Sequence, residues 1–336
     1  MDPDAVGAGD RVPHGGEPDP SVLEFSANVN PRTPDGIEAV YAAALEESRR
    51  YPDDGYPAFR EAAAAAVGCR PTQVIPTAGG LAAIRLALGA TLRPGEEVLV
   101  PYPSFGEYAR EVRLQGGRPR FVRHDELTAL DPSRYALAIV CTPNNPTGEA
   151  IAPAALASFA DRCRESGTRL LVDEAFLGYT ALPSMAGRPG VVVARSLTKL
   201  YGLPGLRAGY AVATGELREA LAVARPAWSL GTPAARVGAH CLADDEFVRD
   251  TRERVARERV WLRERLEPAF EIAPSDAPFL LCRPRRGTVD GLLERTRAAG
   301  IAIRDARTFR GLDAHVRIAV RDREDNEQLR AVMLDG

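Results

Sequence analysis

A single primary amine is available on the side chains of this sequence. Lys199 is the only lysine, and every other member of the 43 lysine and arginine residues is an arginine. A primary amine forms a Schiff base with an aldehyde, whereas a guanidinium does not. The alternative is a surface lysine that survived by chance. The isolation of this amine in an arginine-rich chain favours covalent chemistry with a carbonyl compound.

The residues around this lysine suggest that the carbonyl compound carries a phosphate. Ser196 and Thr198 supply hydroxyls, and Arg207 supplies a guanidinium that can grip a phosphate through two charge-assisted hydrogen bonds. Gly79 and Gly80 precede a predicted helix, whose first backbone N–H groups would donate to the same phosphate. A tight strand-to-helix turn explains the glycine pair equally well. The hydroxyls and the arginine are therefore the stronger part of this prediction.

A carboxylate follows one of the most apolar runs of the chain. Asp173 ends the run at 170–172, and a buried carboxylate there needs a partner. A protonated pyridine nitrogen would be such a partner, and the cationic ring would act as an electron sink for a carbanion. Capping of a helix that begins at Glu174 is the alternative. Asn145 could donate to an oxygen on the same ring and Phe105 could stack on its face, although each residue type is commoner as a turn or core residue.

The surrounding elements are predicted to form an α/β layer. Between residues 74 and 213, β-rich runs alternate with helical stretches, which indicates a largely parallel sheet with ligands beyond the carboxyl ends of its strands. The predicted strands are 74–77, 97–101, 118–122, 137–141, 169–173 and 191–195. After residue 226, long charged helices alternate with short strands, which indicates a smaller α+β domain. We predict a large domain at 35–225 and a small domain formed by 1–34 and 226–336.

Composition limits the partners of the chain. The net charge is −3, so there is no positive field to hold a nucleic acid or an anionic membrane, and no apolar stretch is long enough to span a bilayer. The five cysteines are odd in number and form no CxxC pair, which predicts no metal site and reduced thiols in a cytoplasm. A small-molecule substrate is the remaining expectation.

Short motifs spread over nearly the whole chain resemble a known superfamily. They are HGG at 14–16, FSANVNP at 25–31, YPD at 51–53, NNPTG at 144–148, DEAF at 173–176, the lysine segment at 196–210 and VRIAVR at 316–321. With these motifs the chain resembles a fold-type I pyridoxal-phosphate enzyme of the class I/II aminotransferase superfamily. The resemblance implies the PLP-dependent transferase-like fold of aspartate aminotransferase, with a three-layer α/β/α large domain and a smaller α+β domain.

The resemblance also implies roles for residues at the cofactor. Lys199 would bind the aldehyde, Asp173 would pair with the pyridine nitrogen, Asn145 would bind O3′ and Phe105 would stack on the ring. The phosphate would be bound by Gly79, Gly80, Ser196, Thr198 and Arg207. Tyr51 would reach in from a second subunit, which implies a homodimer.

Substrate roles follow by the same resemblance. Arg317 would bind the substrate carboxylate, and His14, Asn30 and Arg304 would face a distal phosphate. Arginine forks suit both anions, although an arginine in a terminal strand commonly lies on a solvated face.

Three functions are compatible with these residues. Within the superfamily the chain most resembles the threonine-phosphate decarboxylase branch of cobalamin biosynthesis, which implies a lyase that yields a phosphorylated amino alcohol. The neighbouring branch implies transamination of histidinol phosphate with 2-oxoglutarate. A ligand-binding protein without turnover is the third alternative, but such a protein has no need of an aldehyde-binding lysine. The motifs at 14–16 and 25–31 favour the decarboxylase, and so does Phe176, where many aminotransferases have tyrosine. Leu81 and Ala82 depart from the residues that are usual in that branch.

Overall fold

The computed structural model describes residues 1, 2, 6 and 11–335. The strands are β1 Leu23–Glu24, β2 Val74–Thr77, β3 Glu97–Tyr102, β4 Arg118–Arg123, β5 Leu137–Cys141, β6 Arg169–Asp173, β7 Val191–Ser196, β8 Gly209–Val212, β9 Phe270–Ile272, β10 Phe279–Pro284, β11 Ile301–Ala302, β12 Arg304–Asp305 and β13 Val316–Ala319. The α-helices are α1 Ile37–Glu47, α2 Pro57–Val67, α3 Gly80–Thr91, α4 Glu107–Leu114, α5 Pro153–Ser166, α6 Gly215–Ala224, α7 Thr232–Leu242, α8 Asp245–Leu266, α9 Val289–Ala298 and α10 Arg323–Leu334.

A seven-stranded sheet forms the centre of the fold. Its order is β2-β8-β7-β6-β5-β3-β4, and β8 pairs antiparallel with both of its neighbours while the strands from β7 to β4 are parallel. The predicted α/β class is confirmed, and each of the six predicted strands is present. The sequence prediction missed β8, although its four residues form a buried, mostly apolar run at the end of the lysine segment.

Helices cover both faces of this sheet. Buried side chains of α3, α4 and α6 pack on one face, and those of α2, α5 and α7 pack on the other. Because both faces are covered, β5 and the apolar runs 170–172 of β6 and 191–194 of β7 can be buried on both sides. This packing is the three-layer arrangement that the resemblance implied.

Two smaller sheets complete the molecule. Strands β12, β13, β10 and β9 form an antiparallel sheet in that order, and β1 pairs in parallel with β11.

Helix α8, predicted at 245–266, begins at Asp245 because Asp244 caps its first turn by accepting from the Phe247 N–H at 2.9 Å. Helix α7 lies beyond the proposed boundary at 225, yet it packs against α1 and α2. The domain limits stay a prediction.

Parallel strands bring the candidate residues to one edge. Cys141, Asp173 and Ser196 are the last residues of β5, β6 and β7. In parallel strands these carboxyl ends meet at the same side of the sheet, where ligands of such folds gather. In the described part of the chain, no helix is long and apolar enough to cross a membrane.

Candidate active site

A cavity of about 250 Å³ opens at this edge of the sheet. Eleven of the fourteen predicted site residues line it: His14, Gly80, Phe105, Asn145, Asp173, Ser196, Thr198, Lys199, Arg207, Arg304 and Arg317. Gly79 lies directly beside the cavity, whereas Asn30 and Tyr51 lie elsewhere. Most of the predicted residues therefore share one cavity.

Lys199 lies among cationic neighbours inside this cavity. Its Nζ donates to the Ala27 carbonyl at 2.8 Å. Burial lowers the pKa of the amine to about 8, and the positive charges of Arg317 and Arg207 add to the effect. An appreciable fraction of this amine is therefore uncharged near neutral pH, as attack on an aldehyde requires.

Asp173 is buried and held on both oxygens. Oδ2 accepts from the Tyr108 hydroxyl at 2.6 Å, and Oδ1 accepts from the Ala175 N–H at 2.9 Å. Burial raises the pKa of Asp173, and these two hydrogen bonds oppose that rise. The Ala175 bond closes the turn after β6, so the carboxylate also has a local structural role. A cationic group in the cavity would stabilise its ionised form.

Tyr108 is a site residue that the sequence analysis missed. It is fully buried on α4, lines the cavity, and packs edge-on against Phe105 with ring centroids 5.5 Å apart. Its position three residues after Phe105, in the first turn of α4, was the available signal. Tyr108 and Phe105 together fix one wall of the site.

A cluster of donors suits a phosphate group. The Ser196 and Thr198 hydroxyl oxygens are 2.8 Å apart, and Gly80 begins α3, a helix of 12 residues. Gly79 has φ 92°, and a Cβ there would come within 2.7 Å of Arg207 Nη2. Two hydroxyls, a guanidinium and a helix N-terminus therefore converge where only glycine fits. The glycine pair forms the tight strand-to-helix turn, and its role in binding a phosphate stays a prediction.

Arg317 is a buried guanidinium surrounded by neutral oxygens. It donates to the Asn145 side-chain oxygen and, through Nη2, to the Ser26 carbonyl at 2.6 Å. The amide orientation that satisfies Asn28 places its oxygen 3.2 Å from both Nη1 and Nε of Arg317. Burial lowers the pKa of Arg317 to about 9, with a further contribution from Arg304. A carboxylate entering the cavity would find an oriented cation with only neutral partners.

Two more predicted substrate residues reach the same cavity. Arg304 Nη2 donates to the Pro13 carbonyl at 2.7 Å and to the Thr308 hydroxyl at 2.9 Å. The His14 Nε2 lies 2.8 Å from Glu107 Oε1. Burial lowers the pKa of Arg304. The cavity thus has a second cationic position besides Arg317.

The structure corrects the prediction for Asn30. Its Nδ2 donates to the Leu200 carbonyl at 2.7 Å and its Oδ1 accepts from Arg254. The side chain therefore ties the lysine segment to α8 and does not face the cavity. Asn28, two residues earlier in the same motif, lines the cavity instead. The motif was informative, but the choice between its two asparagines depended on a turn in which Asn28 has φ 56°.

Tyr51 lies at the surface of the subunit. Its side chain is 80% exposed and stacks on Trp228 with ring centroids 4.5 Å apart. Its role at the site of a second subunit stays a prediction. Among the described residues, no group of three histidine, cysteine, aspartate or glutamate side chains could hold a metal ion.

Comparison with known proteins identifies the family of this chain. The family model for aminotransferase class I and II matches residues 20–333. A threonine-phosphate decarboxylase from Salmonella typhimurium is 31% identical, over 93% of this chain and 90% of the relative. Histidinol-phosphate aminotransferase 2 from Archaeoglobus fulgidus is 29% identical, over 93% and 92% respectively.

Structural comparison gives the same fold. A histidinol-phosphate aminotransferase from Sinorhizobium meliloti, solved in complex with pyridoxal-5′-phosphate, has a TM-score of 0.82 and 20% identity, and the match covers 99% of this chain and 93% of that one. The donors around Gly80, the amine of Lys199 and the carboxylate of Asp173 fit the phosphate, aldehyde and pyridine of that cofactor. The chain belongs to the aminotransferase class I and II family, an enzyme family whose cofactor is pyridoxal 5′-phosphate.

Proposed function

We propose that the chain is a pyridoxal-phosphate decarboxylase for a small amino acid with a distal phosphate, of the threonine-phosphate type. The products would be CO2 and a phosphorylated amino alcohol. The observation that carries this proposal is a pair of arginines, Arg317 and Arg304, in the cavity that also holds Lys199. Arg207 is assigned to the cofactor phosphate, so the pair is available to the two anions of one substrate.

Each cofactor residue has one task in this proposal. Ser196, Thr198 and Arg207 bind the phosphate, and Asp173 keeps the pyridine nitrogen protonated. When bound, pyridoxal phosphate supplies an electron sink for the charge that develops at the substrate Cα. Tyr108 holds Asp173 in place by donating to Oδ2.

Lys199 is the group that moves a proton. An amine with a pKa of about 8 can accept and return a proton at Nζ near neutral pH. After loss of CO2, protonation of the substrate Cα from Nζ would complete the reaction. In a transamination the same Nζ would remove the proton from Cα.

The position of the substrate carboxylate decides between these reactions, because the Cα bond perpendicular to the cofactor ring is the one weakened. Phe176 favours decarboxylation, because its ring lines the cavity and has no hydroxyl. The ring packs edge-on against Phe279, with ring centroids 5.1 Å apart. The decarboxylase from Salmonella typhimurium adds support at 31% identity. Transamination is the second candidate, because an aminotransferase is similar at 29% identity.

One assay separates the two. The holoenzyme is given threonine phosphate without any 2-oxo acid, and CO2 and cofactor absorption are followed together. We expect CO2 release with the absorption band retained over many turnovers. Loss of that band without CO2, and its recovery on adding 2-oxoglutarate, would establish transamination instead. Lys199→Arg protein serves as the blank for both signals.

We also propose a homodimer in which Tyr51 completes the site of the partner subunit. The exposed stack of Tyr51 on Trp228 supports this, because two aromatic rings at the surface suit an interface. Mixing Lys199→Ala and Tyr51→Ala subunits tests it, since hybrid dimers regain one intact site. Absence of any regained activity after verified subunit exchange would contradict the shared site. The cytoplasmic location stays a prediction.

A further inference from the structure

Glu107 is a nearly buried carboxylate beside the mouth of the cavity. It is the first residue of α4, and only 4% of its surface is exposed. Oε1 lies 2.8 Å from His14 Nε2, and Oε2 accepts from Arg110 Nη1 at 3.3 Å. A carboxylate at this depth has a bonding role, because burial without partners is costly. One of its partners is a residue of the proposed substrate site.

The segment that carries His14 is held tightly on both sides of the imidazole. The Pro13 carbonyl accepts from Arg304. Gly15 passes so close to Ser26 that a Cβ would come within 2.3 Å of the Ser26 carbonyl oxygen, and the Gly16 N–H donates to the Ser26 hydroxyl at 2.9 Å. These contacts place the backbone of the segment. The hydrogen bond from the His14 ring to Glu107 fixes the orientation of the imidazole.

Orientation of the ring determines which nitrogen can serve a ligand. With Nε2 bonded to the Glu107 carboxylate, Nδ1 is the nitrogen that remains. In the protonated ring both nitrogens carry a hydrogen, so Nε2 donates to Glu107 while Nδ1 can donate to an anion in the cavity. Partners of this kind orient the residues that contact a ligand.

We infer that Glu107 is a positioning residue, which holds His14 ready for the distal phosphate and so helps the enzyme to discriminate phosphorylated from unphosphorylated amino acids. This inference rests on the proposed function. Arg304 contacts Pro13 and Thr308 through Nη2, one of its three nitrogens. Glu107 holds His14 independently of Arg304, so the segment stays in place when the ligand binds.

The next acidic residue of α4 provides a matched control. Glu111 lies one turn further along the helix, is fully buried, and shares Arg110 with Glu107. It also binds Arg85 through two hydrogen bonds, of 2.6 and 2.9 Å. Glu111 does not contact His14. A variant at Glu111 therefore removes a buried carboxylate from the same charge network without touching the imidazole.

The experiment measures ligand binding to the holoenzyme by the first rapid change in cofactor absorption after mixing. The ligands are threonine phosphate and threonine. We expect Glu107→Gln to raise the apparent Kd for threonine phosphate roughly ten-fold, while the Kd for threonine stays unchanged. His14→Ala should have a similar effect, and the double variant should bind no more weakly than His14→Ala alone, because Glu107 acts on the phosphate only through His14.

Glu111→Gln should lower the Tm but leave both Kd values near wild type. The inference is overturned if Glu107→Gln binds threonine phosphate as wild type does. It is also overturned if the increases in Kd caused by Glu107→Gln and His14→Ala multiply in the double variant. The same holds if Glu111→Gln raises the Kd for threonine phosphate as much as Glu107→Gln does. A wild-type enzyme that responds to threonine but gains nothing from the phosphate would refute the proposed function itself.

Discussion

The two halves of the cavity are built in different ways. On the cofactor side, Asp173 and Ser196 end adjacent buried strands, and Lys199 follows three residues later. On the substrate side, His14 comes from the N-terminal segment, and Arg304 and Arg317 come from paired strands of a smaller sheet. The cofactor side is thus fixed by the core, whereas the substrate side depends on contacts between distant segments. Changes on the first side should act on the chemistry, and changes on the second should act on binding.

The largest effect is expected for Lys199→Arg, which keeps the charge but removes the amine. Turnover should fall by about a thousand-fold or more, because covalent attachment and proton transfer are both lost. The readout is mass spectrometry after borohydride reduction, which should find the cofactor on the wild-type peptide alone. Cofactor attached covalently to another residue of the variant would show that the aldehyde does not require Lys199.

Asp173→Asn should follow, with turnover lowered roughly a hundred-fold while cofactor still binds. The amide keeps the shape but cannot stabilise a protonated pyridine, so the stabilisation of developing charge is weakened. Steady-state kinetics and the absorption spectrum of the holoenzyme provide the measurement. A variant whose kcat matches wild type would place the electrostatic role elsewhere.

The pH dependence of cofactor attachment tests the charge state of Lys199. Its pKa is lowered to about 8, and the uncharged amine is the reactive form. The rate at which apoenzyme binds the aldehyde should therefore rise about ten-fold from pH 6 to pH 7 and level off above pH 8. Stopped-flow absorption measures this rate. A rate that keeps rising to pH 10 would show that burial leaves the amine unshifted.

Arg304→Ala should act on the other half of the cavity. We expect KM for the phosphorylated substrate to rise about ten-fold with a smaller change in kcat and an intact cofactor spectrum. Arg307→Ala is the matched control, since Arg307 pairs with Asp290 and Asp305 and does not line the cavity. A lost cofactor band in the Arg304 variant would show that this arginine belongs to the cofactor side.

The smallest effect is expected for Tyr108→Phe, which removes the hydroxyl that donates to Asp173. Turnover should fall only a few-fold, and stability by about 1 kcal/mol. Tyr56→Phe is the control, because its hydroxyl donates to the Leu230 carbonyl at 2.8 Å outside the cavity. Denaturant unfolding and kcat together separate the two variants. Equal losses of kcat in both would assign the effect to general destabilisation.

The sequence predicts the cofactor side and the substrate side of the cavity to different extents. Most residues predicted for the cofactor line the cavity, because strand ends and the segment around Lys199 keep functional groups close along the chain. Tyr108 was missed because a buried tyrosine on a helix is an ordinary core residue until its partner is known. Asn30 was assigned by resemblance alone, which did not reveal that Asn28, with its positive φ, is the asparagine of this motif that lines the cavity. Strand β8 was missed because it begins inside the lysine segment, with only a single 3-10 turn at Pro204–Leu206 between it and β7.

The sequence by itself determined the cofactor chemistry, the α/β class and eleven of the residues that line the cavity. Each of these depends on residue type and on local spacing, which the sequence displays directly. Only the tertiary structure decided the partners: Tyr108 on Asp173, Asn145 on Arg317 and Glu107 on His14. The members of these pairs lie 65, 172 and 93 residues apart. Such pairs form only when separate segments pack together, so neither composition nor periodicity could have predicted them.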